Sequence, residues 1–140
     1  MGADDDGFNF ATDLTVRFAE TDAQGVVHNA VYLVWFEIAR IEYLRRFRGG
    51  YASLREQGIE ALTTEAYVSY GVPVRFDDRL RIETACGDLR GARFRFRYRI
   101  VRQDETVADG WTAHACVDAS TLRPTRVPGW LAEAIAAAES

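Results

Sequence analysis

From Arg93 to Ile100 the chain alternates strictly: Arg93, Arg95, Arg97 and Arg99 interleave with Phe94, Phe96, Tyr98 and Ile100. A period of two fits only extended backbone, where successive side chains point to opposite faces. This segment is therefore a strand with one face in a core and the other in solvent. The runs around it carry similar patterns, with strands predicted over Ile59 to Tyr70, Arg79 to Cys86, Ala92 to Arg102 and Thr106 to Val117. Asp88-Leu89-Arg90-Gly91 and Gln103-Asp104-Glu105 have the composition of hairpin turns. An earlier strand is predicted where Leu14, Val16 and Phe18 alternate with Thr15, Arg17 and Ala19.

One long helix is predicted between the first strand and the rest, over Asn29 to Phe47. Tyr32, Phe36, Ala39, Tyr43 and Phe47 recur at helical spacing, while Val34, Trp35, Ile38 and Ile41 lie on other sides. Apolar residues on nearly every side predict a helix wrapped by other structure, and Gly49-Gly50 should end it. A short amphipathic stretch follows (Tyr51 to Gln57), and a terminal helix is predicted within 129–140, after Pro128. The economical architecture is α+β: one antiparallel sheet of about five strands curled round one long central helix. Such a sheet keeps open edges, so association with further copies is expected.

Length and charge narrow the chemistry. The 140 residues suit a single domain, 1–140, in which residues 1–8, with Asp4, Asp5 and Asp6, read as a loose acidic leader. All 17 basic residues are arginine, so no side-chain amine is available for a Schiff base. The net charge of −4 argues against general binding to nucleic acid, which leaves the arginines of 93–99 as a solvated outer sheet face balanced by Glu83 and Asp109. Cys86 and Cys116 sit in strand patterns and are expected as buried thiols. His114 and Cys116, even with Cys86 and His28, lack the paired spacing of a zinc site, so no metal is expected. No apolar run is long enough to span a bilayer and no signal core is present, so a cytoplasmic protein is expected.

The densest chemistry lies between the first strand and the helix, in Glu20-Thr21-Asp22-Ala23-Gln24-Gly25-Val26-Val27-His28-Asn29-Ala30-Val31-Tyr32-Leu33. A carboxylate sits on a loop leaving a strand, a glycine permits close backbone approach, and a helix N-terminus follows with unpaired N–H groups. This combination suits acyl transfer, in which aimed donors stabilise a developing oxyanion and a carboxylate activates water or attacks directly. Taken blandly, Asp22 is a turn or capping carboxylate, His28 a hydrogen-bonded residue at the helix entrance, and Glu20 a solvated acid.

The same run resembles the signature of the 4-hydroxybenzoyl-CoA thioesterase family and its relatives acting on short or aromatic acyl-CoAs. Phe36-Glu37-Ile38-Ala39-Arg40, Val68-Ser69-Tyr70, Pro73-Val74-Arg75-Phe76-Asp77-Asp78 and Leu80-Arg81-Ile82-Glu83-Thr84 extend the resemblance. It implies a hot-dog fold, a homodimer or homotetramer, an acyl-CoA substrate, and no cofactor beyond the coenzyme A that the substrate carries. It also implies Asp22 as nucleophile or general base, with the Asn29 N–H polarising the thioester carbonyl. His28 departs from the aromatic residue common in close relatives. Thr64 falls near a position where some relatives place a helper for water, and Arg90 matches a basic position that some use for the coenzyme A phosphates. Gly25, Val27, His28, Asn29, Tyr32, Thr64 and Arg90 thus make up the expected substrate-binding set. Two other functions are weighed beside this one. An acyl-thioester dehydratase or hydratase would need His28 and Glu42 as its pair, and a non-catalytic binding protein would use the arginine face.

Overall fold

A computed structural model describes residues 7–140. In chain order the elements are β1 (Phe10–Thr15), one 3₁₀ turn (Phe18–Glu20), α1 (Val31–Arg45), α2 (Tyr51–Glu56), β2 (Ile59–Tyr70), β3 (Arg79–Arg90), β4 (Arg93–Arg102), β5 (Glu105–Asp118) and α3 (Gly129–Glu139). The five strands form one sheet in the order β1-β3-β4-β5-β2. Every pairing is antiparallel. β4 is the strand that its alternation predicts: Phe94, Phe96, Tyr98 and Ile100 are buried, while Arg93 and Arg97 face out.

α1 lays Tyr32, Trp35, Phe36, Ala39, Tyr43 and Leu44, three or four residues apart, on that apolar face. The Phe36 ring stacks on Tyr98 with centroids 4.1 Å apart and planes 5° apart. Tyr43 meets Phe96 edge-on at 5.3 Å. Gly110, in the middle of β5, makes room for the stack: a Cβ there would stand 2.1 Å from the Tyr67 carbonyl oxygen and 2.9 Å from the Phe36 ring. Only glycine allows that approach of β2 and the helix side chain.

Several expectations need correction. The helix is shorter than 29–47, with 15 residues from Val31 to Arg45. Asn29 and Ala30 form the turn that precedes it, and Arg48, Gly49 and Gly50, all at positive φ, follow its end. At Gly50 the conformation is demanded twice over, since a Cβ would also meet the Leu44 carbonyl oxygen at 2.7 Å. Nor does the sheet wrap the helix all round. α1 packs on β3 and β1 more than on β2, and Leu33, Val34 and Ile38 stay 41%, 45% and 38% exposed. A five-stranded sheet with two free edges covers one flank of a helix and leaves the other open.

The first strand lies earlier than predicted. It runs from Phe10 to Thr15, and the chain then tightens into the Phe18–Glu20 turn, which leaves Phe18 exposed against Phe76 at 5.7 Å instead of in the core. Arg90, expected in a turn, closes β3 opposite Arg93. Most of the leader, residues 1–6, lies outside the described residues; Phe8 lies beneath the Arg97 and Arg99 guanidiniums. α3 follows Pro128 as predicted and buries Leu131 and Ile135. No helix among the described residues is long and apolar enough to cross a membrane.

The tight contact at Gly110 is directly testable. Gly110→Ala should lower stability in urea denaturation by about 1–3 kcal/mol or more, because backbone rather than a mobile side chain blocks the added methyl. An unchanged midpoint would show that β2 and β5 separate there at no cost.

Candidate active site

Asp22 sits on a small hairpin between the 3₁₀ turn and α1. Its N–H donates to the Val26 carbonyl at 2.8 Å and its carbonyl accepts from Gly25 at 2.9 Å. Thr21 bridges to Val27, and Val26 bridges to Arg75, so the loop is held on both sides. Gly25 has φ +81°, and a Cβ there would meet only the Arg75 guanidinium, in ordinary contact at 3.9 Å. The glycine is therefore required by the turn conformation and not by a crowded approach. The Asp22 Oδ1 accepts from the Gln24 N–H at 2.8 Å and the Val26 N–H at 3.4 Å. That is the turn-capping role of the bland reading, and it engages only one carboxylate oxygen. No donor among the described residues reaches Oδ2, and the residue is exposed.

The entrance to α1 lies just beyond. α1 has no side-chain N-cap at Ala30; instead His28 Nδ1 accepts the Ala30 N–H at 3.2 Å. A ring nitrogen that accepts carries no proton, so the ring N–H of His28 is on Nε2. The Asn29 N–H has no acceptor among the described residues, whereas its carbonyl accepts from the Tyr70 hydroxyl at 3.0 Å. Val27, Asn29 and Tyr32 line a hollow of about 220 Å³ beside the loop, together with Tyr70 and Val74. Tyr32 and Tyr70 meet edge-on at 4.9 Å within it. Burial, reinforced by Tyr70, raises the Tyr32 pKa above its ordinary value, so its hydroxyl stays protonated.

What holds this region was not foreseen. Glu20, expected in solvent, is buried. Its Oε1 accepts the Arg17 amide at 2.7 Å. Its Oε2 accepts the Trp35 indole N–H at 3.0 Å and an Arg17 guanidinium N–H at 3.2 Å. The Glu20 carbonyl also accepts the His28 N–H at 3.0 Å. One residue thus ties the turn before Asp22, the residue before Asn29 and the first turns of α1 together. The indole of Trp35, which lies inside the helix pattern 15 positions on, was the only sequence signal, since a buried indole needs an acceptor.

The remaining expected residues lie elsewhere. Thr64 sits at a register irregularity of β2 and donates to the Ala113 carbonyl at 3.2 Å. Thr64 and Arg90 line a second hollow, of about 690 Å³, with Arg93 and Arg95. A single chain therefore gathers Val27, Asn29 and Tyr32 round one hollow, with Asp22, Gly25 and His28 on the adjoining segment, and places Thr64 and Arg90 in another. The dehydratase pair is not assembled: Glu42 pairs with Arg45 at 3.2 Å and stands about 16 Å along the helix axis from Val31. Among the described residues no three His, Cys, Asp or Glu side chains converge as a metal site requires. Both cysteines are buried free thiols, and burial pushes Cys116 up to about 11.

His114 belongs to a buried polar chain. Arg40 Nη1 donates to the Tyr98 hydroxyl at 3.2 Å, Tyr98 lies 2.6 Å from the Thr112 hydroxyl, and Thr112 lies 2.7 Å from His114 Nε2. A guanidinium can only donate, so the Tyr98 hydroxyl accepts from Arg40. Burial, followed by the charge of Arg40, pushes His114 down to about 3, and the ring is neutral. On the opposite sheet face, Arg99 pairs with Glu83 at 2.5 Å, and Arg95 lies over the Trp111 ring at 4.1 Å.

Comparison with known proteins places this geometry. The family model for the thioesterase-like superfamily matches residues 16–135. The chain is 34% identical over 125 residues to the acyl-CoA thioesterase YbgC of Haemophilus influenzae, covering 89% of this chain and 90% of that protein. It is 32% identical over 127 residues to a 1,4-dihydroxy-2-naphthoyl-CoA hydrolase of Synechococcus, covering 84% and 85% of the two chains. Among solved structures, a hypothetical protein of Aquifex aeolicus superposes with a TM-score of 0.85 at 32% identity, covering 90% of this chain and 98% of that one. The DHNA-CoA thioesterase of Staphylococcus aureus gives 0.83 at 28% identity, covering 91% and 90%.

Glu20→Gln should cost about 1–3 kcal/mol in urea denaturation, because an amide NH₂ would face donors where an acceptor stood. The pH dependence has a definite sign. Burial pushes the Glu20 pKa up, but the Arg17 amide, Trp35 indole and Arg17 guanidinium together outweigh it and hold the value below 4.5. The group therefore contributes stability above pH 4.5 that is lost as the pH falls further. Stability measured from pH 6 down to pH 3 should fall less steeply in Glu20→Gln than in the wild type.

Proposed function

We propose that this chain, which belongs to the thioesterase-like superfamily and is a thioester hydrolase, cleaves acyl-CoA to free acid and coenzyme A with Asp22 as its working carboxylate. One observation carries the proposal: Asp22 engages the loop through Oδ1 alone and leaves Oδ2 open, beside a helix entrance whose Asn29 N–H is unpaired. The Asn29 N–H would donate to the thioester carbonyl oxygen and stabilise the negative charge developing there, the kind of aimed donor worth about 2.7–4 kcal/mol in acyl transfer. As general base, Asp22 takes a proton from water, the hydroxide adds to the carbonyl carbon, and the carbon–sulfur bond breaks with the proton passing to the departing thiolate. As nucleophile, Oδ2 adds to the same carbon, the thiolate leaves, and water hydrolyses the resulting mixed anhydride. Both routes consume one water, and no cofactor enters.

Val27, Tyr32 and Tyr70 suit the hollow to the acyl end of the substrate. The narrower resemblance to 4-hydroxybenzoyl-CoA thioesterases and the relatives named for dihydroxynaphthoyl-CoA both favour an aromatic acyl group. Arg90 would meet the coenzyme A phosphates and Thr64 would help position water. Thr64 lines a different hollow from the one beside Asp22, so its role calls for a second copy, whereas Arg90 need only lie where the far end of coenzyme A arrives. The open flank of α1, with Val34 and Ile38 exposed, and the exposed edge strand β2, with Leu62 and Tyr67, form the surface such a copy would cover. We assign the native state as a homodimer or homotetramer working in the cytoplasm.

Hydrolysis of short, medium, long and aromatic acyl-CoAs should show activity with a preference for aromatic acyl groups. Asp22→Asn should lower kcat by about 10²–10⁴-fold with unchanged thermal unfolding. Full activity in this variant would remove Asp22 from the chemistry. Val34→Glu places a charge on the open helix flank and should convert the assembly to single chains in sedimentation, with activity falling in parallel. An unaltered sedimentation profile would place the interface elsewhere.

A further inference from the structure

A third hollow, of about 400 Å³, lies between α1, α2 and the start of β2, lined by Glu37, Arg40, Arg45, Tyr51, Arg55 and Thr63 among others. It shares no lining residue with the hollow beside Asp22. Three guanidiniums meet there against one lining carboxylate, Glu37, and the pairing of Arg45 is with Glu42 at 3.2 Å. Arg40 is only 8% exposed. Its partners are two neutral phenols: Nε donates to the Tyr51 hydroxyl at 3.1 Å and Nη1 to the Tyr98 hydroxyl at 3.2 Å. No carboxylate among the described residues lies within ion-pair distance of it. Behind it the chain of hydroxyls ends at neutral His114, so the core supplies no negative charge either.

A buried guanidinium is ordinarily compensated by an anion, because removing an unpaired charge from water is expensive. On the side of the hollow a single lining carboxylate, Glu37, stands against three arginines, which leaves positive charge for a ligand to offset. With Nε and one Nη1 hydrogen taken by Tyr51 and Tyr98, the Nη2 hydrogens and the second Nη1 hydrogen are left for the oxygens of a phosphoryl group. The small residues Gly49, Ala52 and Ala61 in the lining leave space for it. The volume exceeds that of a single phosphate and falls in the range of sites for organic molecules.

We propose that this hollow binds a phosphorylated organic ligand, with Arg40 and Arg55 gripping its phosphoryl oxygens. Arg40 is the fixed partner, oriented by Tyr51 and Tyr98, and Arg55 on α2 closes from the solvent side. The site stands independently of any role for Asp22.

The probe is inorganic pyrophosphate, titrated into the native assembly at low salt by calorimetry and by thermal unfolding. Wild-type protein should bind it saturably with a rise in Tm. Arg55→Ala, at an exposed position that the fold does not need, should weaken binding tenfold or more. Arg40→Gln should abolish it. Arg126→Ala, an exposed arginine that lines none of these hollows, should leave pyrophosphate binding intact. Competition by coenzyme A but not by pantetheine would support the site and identify the substrate's own phosphates as its ligand. Binding of pyrophosphate without such competition would support it as a site for a separate phosphorylated molecule. No saturable binding to the wild type, as when a second copy supplies the counter-charge to Arg40, would overturn the proposal. So would equal affinity in Arg55→Ala, which keeps the test decisive even where Arg40→Gln fails to fold.

Discussion

The Glu20 carboxylate beneath the Asp22 loop is the contact on which the site depends. The loop itself is held by backbone bonds, a glycine turn and the turn bonds to Asp22 Oδ1, and such segments move unless something fixes their ends. Glu20 fixes both ends at once, through the Arg17 amide on one side and the Trp35 indole and His28 N–H on the other. Trp35 is fully buried against the sheet, so the helix, the loop and the core share one frame. Asp22 can then leave an oxygen without a donor, a condition that a carboxylate on a mobile loop would relieve by turning to any available N–H.

The helix serves two masters. Its inner face is aromatic and locks onto β4 through the stack of Phe36 on Tyr98, which the absence of a side chain at Gly110 permits. Its flank toward β2 is apolar but bare, as is much of β2 itself. An apolar stripe beside an unpaired strand edge is a poor surface for an isolated chain. The same region separates Thr64 and Arg90 from Asp22. The incomplete wrapping of the helix and the incomplete gathering of the expected residues thus have one cause: five strands are too few to close round a helix.

Buried polarity follows a different logic from the site. The run from Arg40 through Tyr98 and Thr112 to His114 places four hydrogen-bonding side chains among aromatic and aliphatic neighbours. Its internal bonds are all made, and the histidine is kept neutral by burial and by the arginine's charge. What it lacks is an anion, and that absence directs attention to the hollow in which Arg40 ends.

Local patterning determined a good deal from the amino acids alone. β2 falls where predicted, Ile59 to Tyr70. β3 runs four residues past its predicted end, to Arg90, β5 gains one residue at each end, and β4 starts one residue late but shows the face assignment that its arginine–aromatic alternation demands. The Asp22 turn and the glycines after α1 were legible for the same reason, since strand period, turn chemistry and positive φ are properties of a few neighbouring residues. Whatever depends on distant neighbours was left to the tertiary structure. The burial of Glu20 turned on an indole 15 residues away, the exposure of Phe18 on a strand that ended early, and the bare flank of α1 on how many strands the sheet holds. His114 offered no pattern at all, because its partners, Thr112 apart, come from other elements. Periodicity records which face of an element is apolar, but only packing decides what that face meets and which charges are left to find a partner.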